Sequence, residues 1–153
     1  MELKHNPYRY RRSLPHIQDS VPLFVRFGTA ARWILPAQAR DIVMETCLYE
    51  HRRRCYLWAA VVMPEHVHLL LSLQYSADRE PIALYRILGD IKGVSAHRIN
   101  KTLDRKGRVW QEESFDRATR DGEFEYYIDY IINNPVKRGL VAAPDEYKWL
   151  WYE

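Results

Sequence analysis

Cysteine is nearly absent from this chain: its 153 residues contain two, Cys47 and Cys55. Two thiols cannot build a disulfide framework, and their spacing is not the C-x-x-C of a redox or zinc site. Both fall in segments expected to be buried, so they read as small core residues. Long apolar runs are missing too. No stretch approaches the ~20 residues needed to cross a bilayer, which predicts no membrane partner. Residues Met1 to Arg12 are polar and basic without an apolar centre, which is not the pattern of a secretory signal. These absences lead to the expectation of a soluble protein in a reducing cytoplasm. Excess charge is small, +3 from 23 basic and 20 acidic residues. No internal repeat or linker marks a second domain.

What is present suits a folded globule. Apolar residues make up 47% of the chain and aromatics 13%. A chain of this length buries roughly two-thirds of its unfolded surface as one domain. Residues 1–20 hold Pro7, Pro15 and little periodicity, and read as a basic N-terminal arm. Residues 21–153 read as a single domain. The basic residues cluster: Arg9, Arg11 and Arg12; Arg52, Arg53 and Arg54; Arg98, Lys101, Arg105, Lys106 and Arg108; Lys137 and Arg138. Such groups suit a polyanion. For any one cluster a solvated surface is the simpler reading, and Arg52–Arg54 also fits the cation-favouring end of a helix.

Periodicity sets the order of elements. Leu23, Val25 and Phe27 alternate with Phe24 and Arg26, which predicts a strand over 21–28. Pro36 opens a helix that runs to about His51. Cys55–Met63 is apolar on both faces, the mark of a central strand. Pro64-Glu65 breaks it, and His66–Leu73 returns as its hairpin partner. Ile82–Asn100 reads as a second helix, with Ile82, Tyr85, Leu88, Ile91 and Ser95 as its buried stripe. Val109-Trp110 and Phe115–Thr119 supply a further short strand or two. The fold class is therefore α+β, with a ferredoxin-like β-α-β-β-α-β sheet, helices on one face and an additional C-terminal helix. In that last helix Phe124, Tyr127, Ile128 and Ile131 form the core stripe, and Tyr126, Tyr130 and Asn134 a second one. Asn134 closes the helix, because the residue before a proline resists helical geometry. Gly139 stops a further short turn. Trp149, Leu150 and Trp151 pack back on the sheet.

The stretch Met63-Pro64-Glu65-His66-Val67-His68-Leu69-Leu70-Leu71 carries the chemistry. Alternation puts His66 and His68 on one face of a strand, and Val67, Leu69 and Leu71 on the other. Two imidazoles so placed make a preset pair of metal ligands, although unremarkable histidines also occur at this spacing. A hard cation such as Mg2+ or Mn2+ also wants oxygen, and Asn134 offers a carbonyl one turn beyond Tyr130. If the last helix crosses the histidine face, a phenol and a third ligand arrive together. A phenol holds its proton at neutral pH and is a poor nucleophile unaided. Beside a cation that polarises a phosphodiester it can attack phosphorus and form a covalent ester. The competing reading, with 11 tyrosines in the chain, is an ordinary half-exposed aromatic.

His66-Val67-His68 resembles the HUH signature (histidine, hydrophobic residue, histidine) of single-strand DNA nucleases. Val61-Val62-Met63-Pro64-Glu65-His66-Val67-His68, Val109-Trp110-Gln111, Ser114-Phe115-Asp116-Arg117, Tyr127-Ile128-Asp129-Tyr130-Ile131 and Asn134-Pro135-Val136-Lys137-Arg138-Gly139-Leu140-Val141 resemble the single-tyrosine HUH transposases. Among these they are similar to the REP-associated tyrosine transposases of bacteria. The resemblance spans about residues 21–150. It implies a helix-borne nucleophile, matching Tyr130, that forms a 5′-phosphotyrosine with no nucleotide cofactor. It also implies a divalent ion, Mg2+ or Mn2+, held by His66, His68 and Asn134, where insertion-sequence relatives usually carry glutamine. The implied partner is single-stranded or hairpin DNA in a bacterial nucleoid, with a monomer and a homodimer both open. Arg9, Arg11, Arg12, Arg52, Arg98, Lys101, Arg105, Lys106, Arg108, Lys137 and Arg138 are the residues expected to hold its backbone, with Tyr8, Tyr10 or Trp110 stacking on bases.

Other readings stay in view. Tyr126 is the second choice of nucleophile. A domain of the same fold that binds hairpins without cutting them fits the basic clusters equally well. A histidine-based nucleotide hydrolase wants a third histidine where this chain has Leu70. An RNA-processing nuclease of similar fold has no residue-level support.

Overall fold

The structure, a computed structural model, describes residues 21–153. The expected arm, with Arg9, Arg11, Arg12, Tyr8 and Tyr10, lies outside the described residues. Five strands and three α-helices follow one another: β1 (Leu23–Gly28), α1 (Ala37–Glu50), β2 (Cys55–Val62), β3 (His66–Leu73), α2 (Leu84–Thr102), β4 (Phe115–Ala118), α3 (Phe124–Lys137) and β5 (Leu150–Tyr152). The sheet order is β4-β1-β3-β2-β5, and every neighbouring pair is antiparallel. Its first four strands form the ferredoxin-like arrangement that the sequence predicts.

β3 is central because it can be. It is buried along its length except at Leu73, and β2 is buried throughout. Both strands therefore need cover on two faces. The pleat sorts their side chains. Val25, Phe27, Leu57, Val67, Leu69 and Leu71 pack with α1 and α2. Phe24, Tyr56, Trp58 and Leu70 pack with Phe124, Tyr127, Ile128 and Ile131 of α3. A register shift between Leu57 and Ala59 lets Trp58 and Ala59 both join the α3 side. Cys47 and Cys55 are free thiols in the core between β2 and α1.

Several expectations need correction. Asn134 does not end α3, which runs through Pro135 to Lys137. The turn beyond the proline is held by Arg138 N–H to Asn134 O (2.9 Å), Gly139 N–H to Val136 O (2.9 Å) and Leu140 N–H to Pro135 O (2.9 Å). With Gly139 at φ 73°, this is a Schellman cap that outweighs the local objection to a helical residue before proline. Tyr85 is 72% exposed and is no part of the α2 stripe, whose buried face is Ile87, Leu88, Ile91, Ser95 and Ile99. Val109-Trp110 forms no strand; Trp110 makes one isolated bridge to Thr29. Trp110 is also too buried to stack on a base: its ring meets Phe27 edge-on and its N–H donates to Ser95 Oγ (2.9 Å). Arg52–Arg54 lies beyond the last turn of α1, in a turn where Arg52 has φ 67°. The segment around Trp151 does more than pack on the sheet, since β5 adds a fifth strand to the outer edge of β2.

Candidate active site

His66 and His68 open the central strand, on the face covered by α3. Their rings lie 4.7 Å apart, centre to centre, and nearly perpendicular. Both are buried. Pairing fixes their neighbours: across β1, His66 is opposite Gly28 and His68 opposite Arg26. Phe24, two residues back along β1, stacks on His68 at 5.2 Å.

α3 brings its second stripe to this face. The Tyr130 ring stands edge-on to His68, with centroids 5.4 Å apart, and edge-on to Phe24 at 5.8 Å. Exposure falls along the stripe from Tyr126, 62% exposed, through half-buried Tyr130 to Asn134, 6% exposed. Tyr126 and Tyr130 stack loosely at 6.4 Å. Tyr127 belongs to the core, stacked on Phe24 at 4.4 Å.

Two polar atoms stand out here. His68 Nδ1 and Asn134 Oδ1 are buried with no hydrogen-bond partner among the described residues. An orphaned buried acceptor is costly unless something occupies its lone pair. His66 differs: its Nδ1 lies 2.9 Å from Glu65 Oε1, which also accepts from Arg138 Nη1 at 2.8 Å. Burial would raise the Glu65 carboxyl, but the hydrogen bonds from Arg138 and His66 outweigh it and hold it below the usual range. Burial lowers His66, with Glu65 pulling the other way. It pushes His68 down to about 3, with the electrostatic influence of His66 and Arg26 in the same direction. Both imidazoles are therefore neutral near pH 7. The close His66–Glu65 contact is a hydrogen bond donated by Nδ1–H, which leaves a lone pair on Nε2.

These donors fit a divalent cation. Neutral imidazole nitrogens and an amide oxygen are ligands for Mn2+-like ions. A carboxylate bonded to the far nitrogen of a ligating histidine is the usual outer support. No group of three or more His, Cys, Asp or Glu suited to a metal occurs among the described residues; the Asn134 amide is an oxygen donor of another type.

The expected DNA-binding residues are scattered. Arg138 joins the site through Glu65. Arg52 sits at the far end of β2, near Glu153 (3.9 Å). Arg98 pairs with Glu45 (2.8 Å), and Arg105 lies over the Trp33 ring at 4.0 Å. Lys101, Lys106, Arg108 and Lys137 are exposed. Sequence reasoning passed over Arg26 and Glu65. Arg26 carries no local signal, because only the β1–β3 register sets it opposite His68, and Glu65, although it precedes His66 in the chain, gains its second partner, Arg138, only through the fold.

A ferredoxin-like sheet with a histidine–hydrophobic–histidine strand beneath a tyrosine-bearing helix defines a single-tyrosine HUH-type domain. The family model of IS200-like transposases matches residues 35–134, and the chain belongs to that family. A candidate REP-associated tyrosine transposase of Haemophilus influenzae is 26% identical over 97 residues, covering 60% of this chain and 55% of that protein. The chain thus spans about half the length of the curated relative it matches. A REP-associated tyrosine transposase solved bound to a REP hairpin superposes with a TM-score of 0.69 at 22% identity, covering 86% of this chain and 76% of that one. A bacterial tRNA(His) guanylyltransferase-like protein in complex with GTP gives 0.59 at 11% identity, over 87% and 72% of the two chains. At these identities the structural likeness is one of fold.

Proposed function

We propose that this member of the transposase family cuts and rejoins single-stranded, hairpin-forming DNA, with Tyr130 as the nucleophile. The observation that carries the reading is the Tyr130 ring against His68, on the face where His68 Nδ1 and Asn134 Oδ1 are buried without partners. His66, His68 and Asn134 would hold Mg2+ or Mn2+, which when bound supplies charge that stabilises the phosphate oxygens. The phenol of Tyr130 attacks phosphorus. The bond from its oxygen to phosphorus forms as the phosphorus–O3′ bond breaks. The phenol loses a proton and the leaving 3′-oxygen gains one, so the exchange is balanced. One phosphodiester replaces another, and the 5′-phosphotyrosine keeps the bond in reserve for joining. No nucleotide cofactor is needed. Half-buried Tyr130 can reach a strand in solvent, and the hairpin bound to the solved relative supports hairpin DNA as the partner class.

The test is a covalent adduct on a denaturing gel after incubation with hairpin-bearing single-stranded DNA and Mn2+. Wild type forms it, and Tyr130→Phe binds the DNA but does not. An undiminished adduct from Tyr130→Phe removes that residue from the role, and hairpin binding with no adduct from any substrate leaves a binding module.

A further inference from the structure

Beside His66 lies a cleft of about 480 Å3 that the chemistry above leaves unused. Arg26, Arg32, Ile34 and Gln111 line it together with the Glu65–Arg138 pair, and Gly28 forms its floor. Neither Arg26 nor Arg32 has an acidic partner among the described residues, whereas Arg54, Arg98 and Arg117 are each paired with one. Two unneutralised guanidiniums in a concave surface are an anion site in charge and in shape.

The backbone agrees. Ala31 and Arg32 sit at φ 52° and 53°, in the left-handed region that non-glycine residues avoid. Two successive strained residues hold the Arg32 turn at the rim. At Gly28 an added Cβ would meet Glu65 O at 3.6 Å and Gln111 Oε1 at 3.7 Å, ordinary contacts. The protein itself therefore tolerates a side chain there. What the glycine preserves is the open floor of the cleft. The exposed Gln111 amide offers a donor and an acceptor above it, and Ile34, 57% exposed, offers an apolar wall.

Position gives the site its direction. Phe24, Arg26 and Gly28 share one face of β1, opposite Leu70, His68 and His66. Tyr130 lies over Phe24 and His68, at one end of this row. The cleft lies at the other end, by Gly28. The histidine pair sits between them. In a displacement at phosphorus the leaving oxygen departs opposite the attacking one. We infer that the cleft seats the nucleotide immediately 5′ of the cut, whose 3′-oxygen leaves, with Arg26 and Arg32 on its phosphates and Gln111 and Ile34 against its base. The inference rests on Tyr130 as nucleophile, and of its residues Arg26, Gly28, Arg32 and Ile34 lie outside the segment matched by the family model.

The experiment measures binding of a fluorescent 12-nucleotide oligothymidylate to Tyr130→Phe protein across a salt series, with and without Arg26→Gln and Arg32→Gln together. Two lost phosphate contacts flatten the slope of log affinity against log salt by about 1.4. Both arginines are exposed, and circular dichroism checks that the fold is kept. Once the adduct assay has mapped the cut, a neutral methylphosphonate is placed one linkage 5′ of it. That change weakens the parent but adds nothing in the double variant. On the 3′ side it weakens both equally. An unchanged salt slope, or additive effects on the 5′ side, overturns the cleft assignment even if the adduct still forms. An adduct undiminished in Tyr130→Phe overturns the nucleophile instead, and the salt slope still reads the cleft.

Discussion

Glu65 Oε1 accepts from both His66 Nδ1 (2.9 Å) and Arg138 Nη1 (2.8 Å), so one oxygen ties the histidine strand to the end of the tyrosine helix. Glu65 belongs to the β2–β3 turn, and Arg138 follows the last residue of α3. The contact therefore fixes two things at once: which nitrogen of His66 carries the proton, and where the end of α3 rests.

Glu65→Gln tests the first effect. Glutamine can still accept from Nδ1–H, but without the charge that raises the basicity of Nε2. Outer partners of this kind are worth about 10–100-fold in metal affinity. Calorimetric titration with Mn2+ should show a loss in that range. Intact affinity with only a lower urea midpoint would assign Glu65 to the fold alone.

Asn134→Leu should move stability and metal binding in opposite directions. A buried polar atom left unsatisfied costs about 1–3 kcal/mol, and Asn134 Oδ1 is one. An apolar side chain of similar size removes that penalty. The metal-free variant is expected to gain stability against urea, by about 1 kcal/mol or more, while Mn2+ affinity falls. Lower stability in the metal-free variant would mean that the amide has a partner in the folded chain and is no free ligand.

Much of this was legible from local pattern. The Pro64-Glu65 break set the start of β3, and alternation put both histidines on one face, because a period of two follows from the pleat. The stripe Tyr126–Tyr130–Asn134 followed from helical geometry. What local pattern cannot carry is pairing between distant strands. Arg26 matters because register places it opposite His68, 42 positions away. β5 is three residues long and exists through its partner β2. Pro135 misled for a related reason: the pre-proline penalty is local, while burial of Ile131 and Ile132 against the sheet acts over the whole helix.

Gly139 ends that helix at φ 73°. A Cβ in the left-handed region costs roughly 1–2 kcal/mol. Gly139→Ala should lower stability by that amount, and nothing within 4 Å of the added Cβ would contribute a clash. Gly139→Asn should cost less, since asparagine tolerates this conformation. Equal stability of the alanine variant would show that the Schellman cap is not what carries the chain past Pro135.

His68 governs the acid side of the stability curve in the metal-free protein. Burial holds its folded pKa at about 3, against an ordinary 6.5 when unfolded. Between those values the unfolded chain binds a proton that the folded chain refuses. Stability therefore rises with pH across the window and is fully present above pH 6.5. One such group is worth about 2 kcal/mol between pH 7 and pH 5. His66 is shifted in the same direction and adds to the slope. Urea unfolding with chelator present should give a lower midpoint at pH 5 than at pH 7, and His68→Gln should flatten the difference. An equal slope in the variant would place the acid sensitivity elsewhere. The same depression leaves the imidazole lone pair free at pH 6, where an exposed histidine is mostly protonated, so Mn2+ affinity of the folded protein should change little between pH 7.5 and pH 6.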